Sequence, residues 1–259
     1  MTKPKTTILD IETATITAQV WGLWDQNVGL NQIAEDWRIL SFASKTLGEK
    51  EITYVDAQRK EDERALLEVL WGILDDSDIV VAHNGKKFDI KKINARLIQE
   101  RFPPYSPVKV VDTLLVAKQV AAFTSNKLEY LTDKLCTTKK LKHGKFPGFE
   151  LWKECFAGNP AAWAEMKKYN IRDITSLEEL YVFLRPWMAG HPNIGSYVDP
   201  AHSDDVVCPR CGSQQVQKRG TTYTQVGQYQ RYQCNSCGGW SRGRTLLKKA
   251  AERKHIITG

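Results

Sequence analysis

Ile8-Leu9-Asp10-Ile11-Glu12-Thr13, near the N-terminus, is the stretch around which the rest of the chain is organised. Its apolar residues on both sides predict a strand that is buried on both faces of a sheet. Because strand side chains alternate, Asp10 and Glu12 point to the same side. Two buried carboxylates repel each other and are costly to desolvate, so the pair indicates a divalent cation between them. From this stretch alone, the alternative is an exposed edge strand that carries two acids.

Strand and helix patterns alternate after this first strand. Residues 20–24, 38–44 and 51–55 are short apolar runs bounded by turn residues, which predict an antiparallel meander at the start of a mixed sheet. Apolar residues at spacings of three and four predict a helix over residues 61–75, and a short apolar strand follows at Ile79–Ala82. The fold class predicted for this part of the chain is α/β.

Two further acids stand where a strand meets a helix. Asp89 begins a helix just after the strand Ile79–Ala82. An acid there is either a helix cap or part of a site, since strand-to-helix junctions of open α/β sheets often form sites. Asp112 lies near the end of the strand predicted over residues 108–113, and we interpret it as the N-cap of the next helix; the alternative is a lesser site residue.

A long helix is predicted from Pro160, a favourable first helical residue after Asn159, to about Leu184. Tyr169 and Asp173 are four residues apart in it, so they share one helix face. Taken alone, they are equally well explained as a hydrogen-bonded pair on the surface.

Together, these acids, their order and their flanking residues resemble the DEDDy branch of the ribonuclease H-like 3′–5′ exonucleases, the group that includes polymerase proofreading domains. The resemblance covers roughly residues 5–187, and residues 111–113 and 128–131 are similar to the family's intermediate segments. The matching motifs are Asp10-Ile11-Glu12-Thr13, Asn84-Gly85-Lys86-Lys87-Phe88-Asp89 and Tyr169-x-x-x-Asp173.

The resemblance implies a ribonuclease H-like fold, a mixed five-stranded sheet flanked by helices. It also implies two Mg²⁺ or Mn²⁺ ions, one activating water and one stabilising the leaving 3′-oxyanion. A phenol, with its usual pKa near ~10, is a poor proton acceptor at neutral pH, so we expect Tyr169 to position the attacking water. Asn84 is expected to support the site or substrate by hydrogen bonding, and Thr13 to lie near the terminal nucleotide. The implied metal ligands are Asp10, Glu12, Asp89 and Asp173.

Positive charge is concentrated at the C-terminal end. Residues 204–259 contain ten Lys and Arg and three acids, which accounts for the whole net charge of +7 and leaves residues 1–203 neutral in sum. This asymmetry predicts a basic module for a polyanion, joined to a neutral catalytic or structural body.

Four of the six cysteines form two C-x₂-C pairs inside this basic module. Each pair, Cys208 with Cys211 and Cys234 with Cys237, is followed by a glycine that suits a sharp turn. Four thiolates in two close pairs predict one structural, tetrahedral Zn²⁺. Two disulfides are the alternative, which a cytosolic protein disfavours. The remaining two cysteines, Cys136 and Cys155, are interpreted as ordinary buried thiols.

The segment between the cysteine pairs predicts a β-hairpin that turns near Gly227. The module resembles the zinc ribbons of transposases and transcription proteins. Tyr223 and Tyr229 are candidates to stack on bases and Arg231 to contact a phosphate; the alternative is that the tyrosines only cover a small core.

These observations predict a metal-dependent 3′–5′ exonuclease that acts on single-stranded DNA or frayed DNA 3′ ends, with a zinc ribbon that aids nucleic-acid binding. The alternatives are an RNA-trimming or structure-specific nuclease and a catalytically silent binding protein. Expected partners are single-stranded nucleic acid, with DNA favoured over RNA, and a replication or repair protein on the ribbon. No signal peptide or apolar run of about 18 residues is present, so we expect a cytoplasmic protein with no membrane contact. The predicted divisions are an exonuclease domain (1–189), a linker (190–205), a zinc ribbon (206–240) and a basic, helical or disordered tail (241–259).

Overall fold

The structure is a computed structural model that describes residues 4–139, 144–197 and 206–257. The chain divides into two compact units, one formed by Lys5–Tyr181 and the other containing the described residues from Val182 onward. Residues 198–205 of the predicted linker and residues 258–259 of the predicted tail lie outside the described residues. The three boundaries between the four predicted divisions stay predictions.

The described residues of the first unit form seven strands, five of them in one mixed sheet. They are β1 (Thr6–Thr13), β2 (Thr17–Ala18), β3 (Ile33–Glu35), β4 (Ile39–Thr46), β5 (Thr53–Asp56), β6 (Ile79–Ala82) and β7 (Lys109–Asp112). The strand order of the main sheet is β5-β4-β1-β6-β7, while β2 and β3 form a separate pair. Strand β1 pairs antiparallel with β4 and parallel with β6, so the sheet changes direction at the strand that carries Asp10 and Glu12.

Six helices accompany the sheet. They are α1 (Glu63–Asp75), α2 (Asp89–Gln99), α3 (Thr113–Val120), α4 (Leu128–Leu135), α5 (Glu150–Phe156) and α6 (Pro160–Leu184). None of the described helices combines the length and apolar character that crossing a bilayer requires. The predicted fold class, a mixed five-stranded sheet flanked by helices with a small C-terminal sheet, is confirmed.

Two apolar clusters pack on this sheet. The first joins Leu9 and Ile11 of β1 to side chains of α1 and α2. The second joins Leu40 of β4 to side chains of α5 and α6, among them Met166. Because β1 side chains alternate, the packing of Leu9 and Ile11 leaves Asp10 and Glu12 on the opposite side of the strand.

The strand predicted over residues 20–24 is wrong. This segment lies between β2 and β3, with Trp21 99%, Leu23 89% and Trp24 83% exposed. An apolar segment becomes a buried strand only if other elements pack against it. The local sequence pattern does not show whether such elements are present. Helix α5 was not predicted, because seven residues are too few for a clear helical period.

The C-terminal sheet consists of β8 (Val216–Tyr223), β9 (Gln228–Cys234) and β10 (Trp240–Leu246), in the order β10-β9-β8. The predicted hairpin is confirmed: β8 and β9 pair antiparallel, and the Thr224 N–H donates to the Gly227 carbonyl at 2.8 Å. A Cβ on Gly227 would lie 2.6 Å from Leu246 Cδ2, so a larger residue at this turn would have to displace the Leu246 side chain. Residues 241–246, which we expected to be helical or disordered, belong to β10 instead.

Candidate functional site

Three carboxylates from distant parts of the sequence meet beside strand β1. Asp10, Glu12 and Asp173 each offer an oxygen, and these oxygens all lie within 4.8 Å of one another. Strand alternation places the first two on one side of β1, and α6 brings the third residue to them. Carboxylate oxygens at this separation fit a hard divalent cation such as Mg²⁺ or Mn²⁺, and without one their charges would repel.

A buried amide orients the first of these carboxylates. Asn170 is fully buried on α6, and its Nδ2 donates to Asp10 Oδ2 at 2.7 Å. Ser41 of β4, also fully buried, donates through its hydroxyl to Asn170 Oδ1 at 3.3 Å. Sequence reasoning missed this relay; the only local signal was the place of Asn170 between the predicted site residues Tyr169 and Asp173.

Asp89 lies apart from the three-carboxylate cluster but lines the same pocket. It is 2% exposed, and its Oδ1 accepts the backbone N–H of Ile11 at 3.2 Å. Burial raises the pKa of Asp89 to about 7, and the negative charge of Asp112 adds to the increase. The hydrogen bond fixes Asp89 against β1, because Ile11 lies between Asp10 and Glu12 on that strand.

Asp112 shapes the loop that leads to Asp89. Its carboxylate accepts the backbone N–H groups of Leu114 and Leu115, so the predicted cap of α3 is confirmed. The same carboxylate also accepts the N–H groups of Asn84 at 3.0 Å and Lys86 at 3.1 Å. Asn84 has a φ of +68°, a conformation that an L-residue holds only with support, and these bonds supply it.

An open pocket of about 690 Å³ joins these groups. Tyr169 lines it, is 8% exposed and packs edge-on against Trp152, with ring centroids 6.2 Å apart. Lys118 and Lys127 add positive charge to the rim. Thr13 is not among the described residues that line the pocket; it ends β1, next to an irregularity in the pairing with β4. The acids, Tyr169 and Asn84 all line the pocket.

His83 is a further pocket residue, and the sequence analysis did not single it out. Its Nδ1 lies 2.9 Å from Thr113 Oγ1, and its Nε2 lies 3.0 Å from the Asn126 carbonyl. A carbonyl oxygen only accepts hydrogen bonds, so Nε2 carries a proton. His83 thereby ties the start of α3 to the segment before α4, which forms another part of the pocket wall.

The four cysteines of the two C-x₂-C pairs form a second cluster, in the C-terminal unit. Their sulfur atoms lie within 4.8 Å of one another, with Cys208–Cys237 and Cys211–Cys234 distances of 3.7 Å. Tetrahedral bonds of about 2.3 Å to one metal put sulfur atoms about 3.8 Å apart, whereas a disulfide needs about 2.05 Å. The cluster therefore fits one tetrahedral metal ion and not two disulfides.

Matching glycine turns support both cysteine pairs. The Gly212 N–H donates to the Cys208 carbonyl at 3.0 Å and the Gly238 N–H to the Cys234 carbonyl at 2.9 Å, with positive φ values of 73° and 76°. The other two cysteines are buried away from this cluster. Burial raises the pKa of Cys136 to about 11 and that of Cys155 to about 12, which makes both thiols unreactive.

Two of the three predicted binding residues in the C-terminal sheet share a face. Tyr229 and Arg231 are two apart on β9, and strand alternation places them together. Tyr223 pairs with Gln228, so it is out of phase with Tyr229, and its hydroxyl lies 3.3 Å from the Thr221 hydroxyl. The structure therefore separates Tyr223 from the other two.

Comparisons with known proteins agree with this fold. The family model described as the RNase_H superfamily matches residues 27–185, a range that includes Asp89, Tyr169 and Asp173 and begins after Asp10 and Glu12. No curated protein matches the chain significantly.

Among solved structures, the chain is similar to the family B DNA polymerase from the hyperthermophilic archaeon Pyrobaculum calidifontis, with a TM-score of 0.53 and 16% identity. The alignment covers 71% of this chain and 25% of the polymerase chain, so the chain spans about a quarter of that protein. At this identity the similarity shows the fold alone. Because the family model covers more than half of the sequence and the five-stranded sheet agrees with it, the chain belongs to the RNase_H superfamily.

Proposed function

We propose that this protein is a metal-dependent 3′–5′ exonuclease that removes nucleotides from single-stranded or frayed DNA 3′ ends. The observation that carries the proposal is the cluster of Asp10, Glu12 and Asp173, whose oxygens lie within 4.8 Å of one another in an open pocket. The resemblance of the motifs to proofreading exonucleases supplies the direction and the substrate.

Each pocket residue has a role in this reaction. The three clustered carboxylates and Asp89 hold the cations, and Asn170 keeps Asp10 turned towards them. When bound, two Mg²⁺ or Mn²⁺ ions supply Lewis-acid activation of water and stabilise charge on the leaving 3′-oxygen.

The remaining pocket residues position the reactants. Tyr169 directs its hydroxyl to the attacking water, and Asn84 contacts the substrate. The rim residues Lys118 and Lys127 attract the phosphate backbone of the strand. The open shape of the pocket suits a flexible strand end.

The C-terminal sheet is proposed as a ribbon held by one structural Zn²⁺ on Cys208, Cys211, Cys234 and Cys237, and as the part of the chain that adds affinity for nucleic acid. Soft thiolate ligands in a tetrahedral arrangement favour Zn²⁺ over the hard cations of the acidic site.

End-labelled substrates test the proposal directly. Single-stranded DNA labelled at its 5′ end, incubated with protein and Mg²⁺ or Mn²⁺, should give a ladder that shortens one nucleotide at a time. The same strand labelled at its 3′ end should release labelled mononucleotide from the first time point. Asp10→Asn is the matched inactive control.

Other outcomes identify other functions. Internal cuts would indicate a structure-specific endonuclease, and cutting of RNA alone would indicate an RNA-trimming enzyme. Binding without cutting at any metal concentration would indicate a silent binding protein and would contradict the proposal.

A further inference from the structure

One face of the C-terminal sheet carries two arginines between two aromatic rings. Arg231 on β9 is the cross-strand partner of Arg242 on β10, so both side chains lie on one face. Strand alternation puts Tyr229 and Trp240 on the same face, each two residues from one of the arginines. We call these four residues the arginine–aromatic strip.

Each guanidinium of the strip lies over a ring of the opposite strand. The Arg231 Cζ is 4.9 Å from the centroid of Trp240, and the Arg242 Cζ is 4.2 Å from the centroid of Tyr229. Both arginines are exposed, and Trp240 is 43% exposed. Stacking uses the face of a guanidinium and leaves N–H groups at its edge that can donate to an anion.

Few acids are available to balance the charge of this strip among the described residues 206–257. Like charges directly opposite each other on two strands are unfavourable. Residues 206–257 contain ten Lys and Arg but a single acid, Glu252, which accepts the backbone N–H of Lys249. An external anion would relieve the repulsion between Arg231 and Arg242.

We infer that the arginine–aromatic strip is the surface on which the C-terminal sheet binds an unpaired nucleic-acid strand, with phosphates on the guanidinium edges and bases stacked on Trp240 and the arginine planes. The inference rests on the proposed nucleic-acid function. It adds which face of the sheet binds nucleic acid and that the bound nucleic acid is single-stranded. Alternating cations and rings match the alternation of phosphates and bases in a single strand. In a duplex the base faces are hidden, so a duplex can use only the charges.

The opposite face of the same sheet provides a control. Lys218 pairs with Tyr232 across the strands, so its side chain lies on the face opposite Arg231. Lys218 and Tyr232 line an open groove of about 640 Å³, whose lining also includes Arg242. Lys218→Ala removes one positive charge from the same sheet and leaves the four residues of the strip unchanged.

Binding is measured with the full-length, zinc-loaded chain carrying Asp10→Asn, so that the probe stays intact. Fluorescence anisotropy measures the affinity of each variant for a labelled oligothymidylate and for a labelled duplex of equal length. Each measurement is repeated across a salt series. The variants are Trp240→Ala, Arg242→Ala, Arg242→Lys and Lys218→Ala. Zinc content and thermal melting of each variant report folding.

The proposed role of the strip predicts a different change in affinity and in salt slope for each variant. Trp240→Ala should weaken oligothymidylate binding by about 5- to 100-fold, the range for loss of one stacked base, with an unchanged salt slope. Arg242→Ala should weaken binding similarly and make the slope shallower by about 0.7. Arg242→Lys should keep the slope but lose affinity, so it is informative even if Arg242→Ala folds poorly. Lys218→Ala should lose less affinity than Arg242→Ala, and the duplex should be insensitive to Trp240→Ala.

Several results would overturn the inference. One is an equal loss for Lys218→Ala and Arg242→Ala, and another is parental affinity of a folded Trp240→Ala. A third is strip-dependent binding of polyglutamate without binding of oligothymidylate, which would identify an acidic protein as the partner. The proposed function fails separately: a chain with Asp10 that cuts nothing but binds through the strip refutes the nuclease and not the strip.

Discussion

Tyr169 and the clustered acids contribute to the proposed reaction by different amounts. Asp10→Asn should abolish nearly all cutting, because it removes a charge from the group that holds the cations. Tyr169→Phe should retain far more activity, since positioning one water is worth about 10²–10⁴-fold and the cations share that task. Single-turnover rates on a short oligonucleotide measure both variants. Equal inactivity of the two at every pH would give the phenol a more direct role.

Asn170 should act on the metal ions through Asp10. Asn170→Ala removes the 2.7 Å hydrogen bond to the Asp10 carboxylate and should raise the Mn²⁺ concentration needed for half-maximal activity by about 10- to 100-fold. Mn²⁺ binding measured by electron paramagnetic resonance should shift in parallel. Asn94→Ala is the matched control, because Asn94 lies on α2, does not line the pocket and accepts a hydrogen bond from the Tyr105 hydroxyl. Unchanged Mn²⁺ binding by a folded Asn170→Ala protein would contradict the role.

The acids were predictable from sequence, whereas the residues that orient them were not. Asp10 and Glu12 stand out because two acids in an apolar strand need an explanation whatever surrounds them. Asn170 and His83 gain their roles from hydrogen bonds to distant groups, which include the Asp10 carboxylate 160 residues away and the Asn126 carbonyl 43 residues away. A local pattern holds no information about which distant group will be the partner.

Asp112 joins two neighbouring parts of the fold, the first turn of α3 and the loop after β6. Asp112→Asn keeps one carbonyl oxygen but places an amide where the Lys86 N–H now donates to Oδ2. Loss of that bond should lower the free energy of unfolding by about 1.5–3 kcal/mol, the range for a hydrogen bond to a charged group. It should also reduce activity, because Asn84 relies on the same carboxylate.

Urea unfolding together with rate measurements checks this expectation. The control is Asp62→Asn, whose carboxylate bonds the exposed Arg59 before α1 and should matter less. An Asp112→Asn variant as stable and as active as the control would show that the loop is held by other contacts.

The prediction of secondary structure succeeded where the apolar pattern was clear. It failed where the prediction depended on whether an apolar segment is buried. Pro160–Leu184 and Ile79–Ala82 have the predicted bounds. The error at residues 20–24 arose because an apolar run predicts burial, whereas Trp21 is almost fully exposed. Residues 240–244 alternate between exposed and half-buried positions, a pattern of strand pairing that the many basic residues concealed.

The two units should divide affinity and chemistry. Cys208→Ser should release the structural metal and unfold the C-terminal sheet, because such sites fold only with their ligands complete. If three or four cations contact the strand, the parent slope of log affinity against log salt should be about −2 to −3, and the variant slope should be shallower. Cutting of a saturating short oligonucleotide should persist, since the acidic cluster lies within Lys5–Tyr181.

Cys136→Ser is the control for this experiment, because Cys136 is a buried thiol of the other unit. Superimposable salt curves for Cys208→Ser and the parent protein would mean that the C-terminal sheet does not hold nucleic acid. It would then be assigned to contact with a protein.

The acidic cluster can form only late in the synthesis of the chain, because its three carboxylates come from distant parts of the sequence. Asp10 and Glu12 leave the ribosome early and pair with β4 soon afterwards, but Asp173 is made more than 160 residues later. Domains fold as their residues emerge, N-terminal part first. A growing chain therefore has a nearly complete sheet but only two of its three clustered carboxylates until α6 docks. Under the proposed function, an unfinished chain would lack a complete set of metal ligands and would not cut nucleic acid.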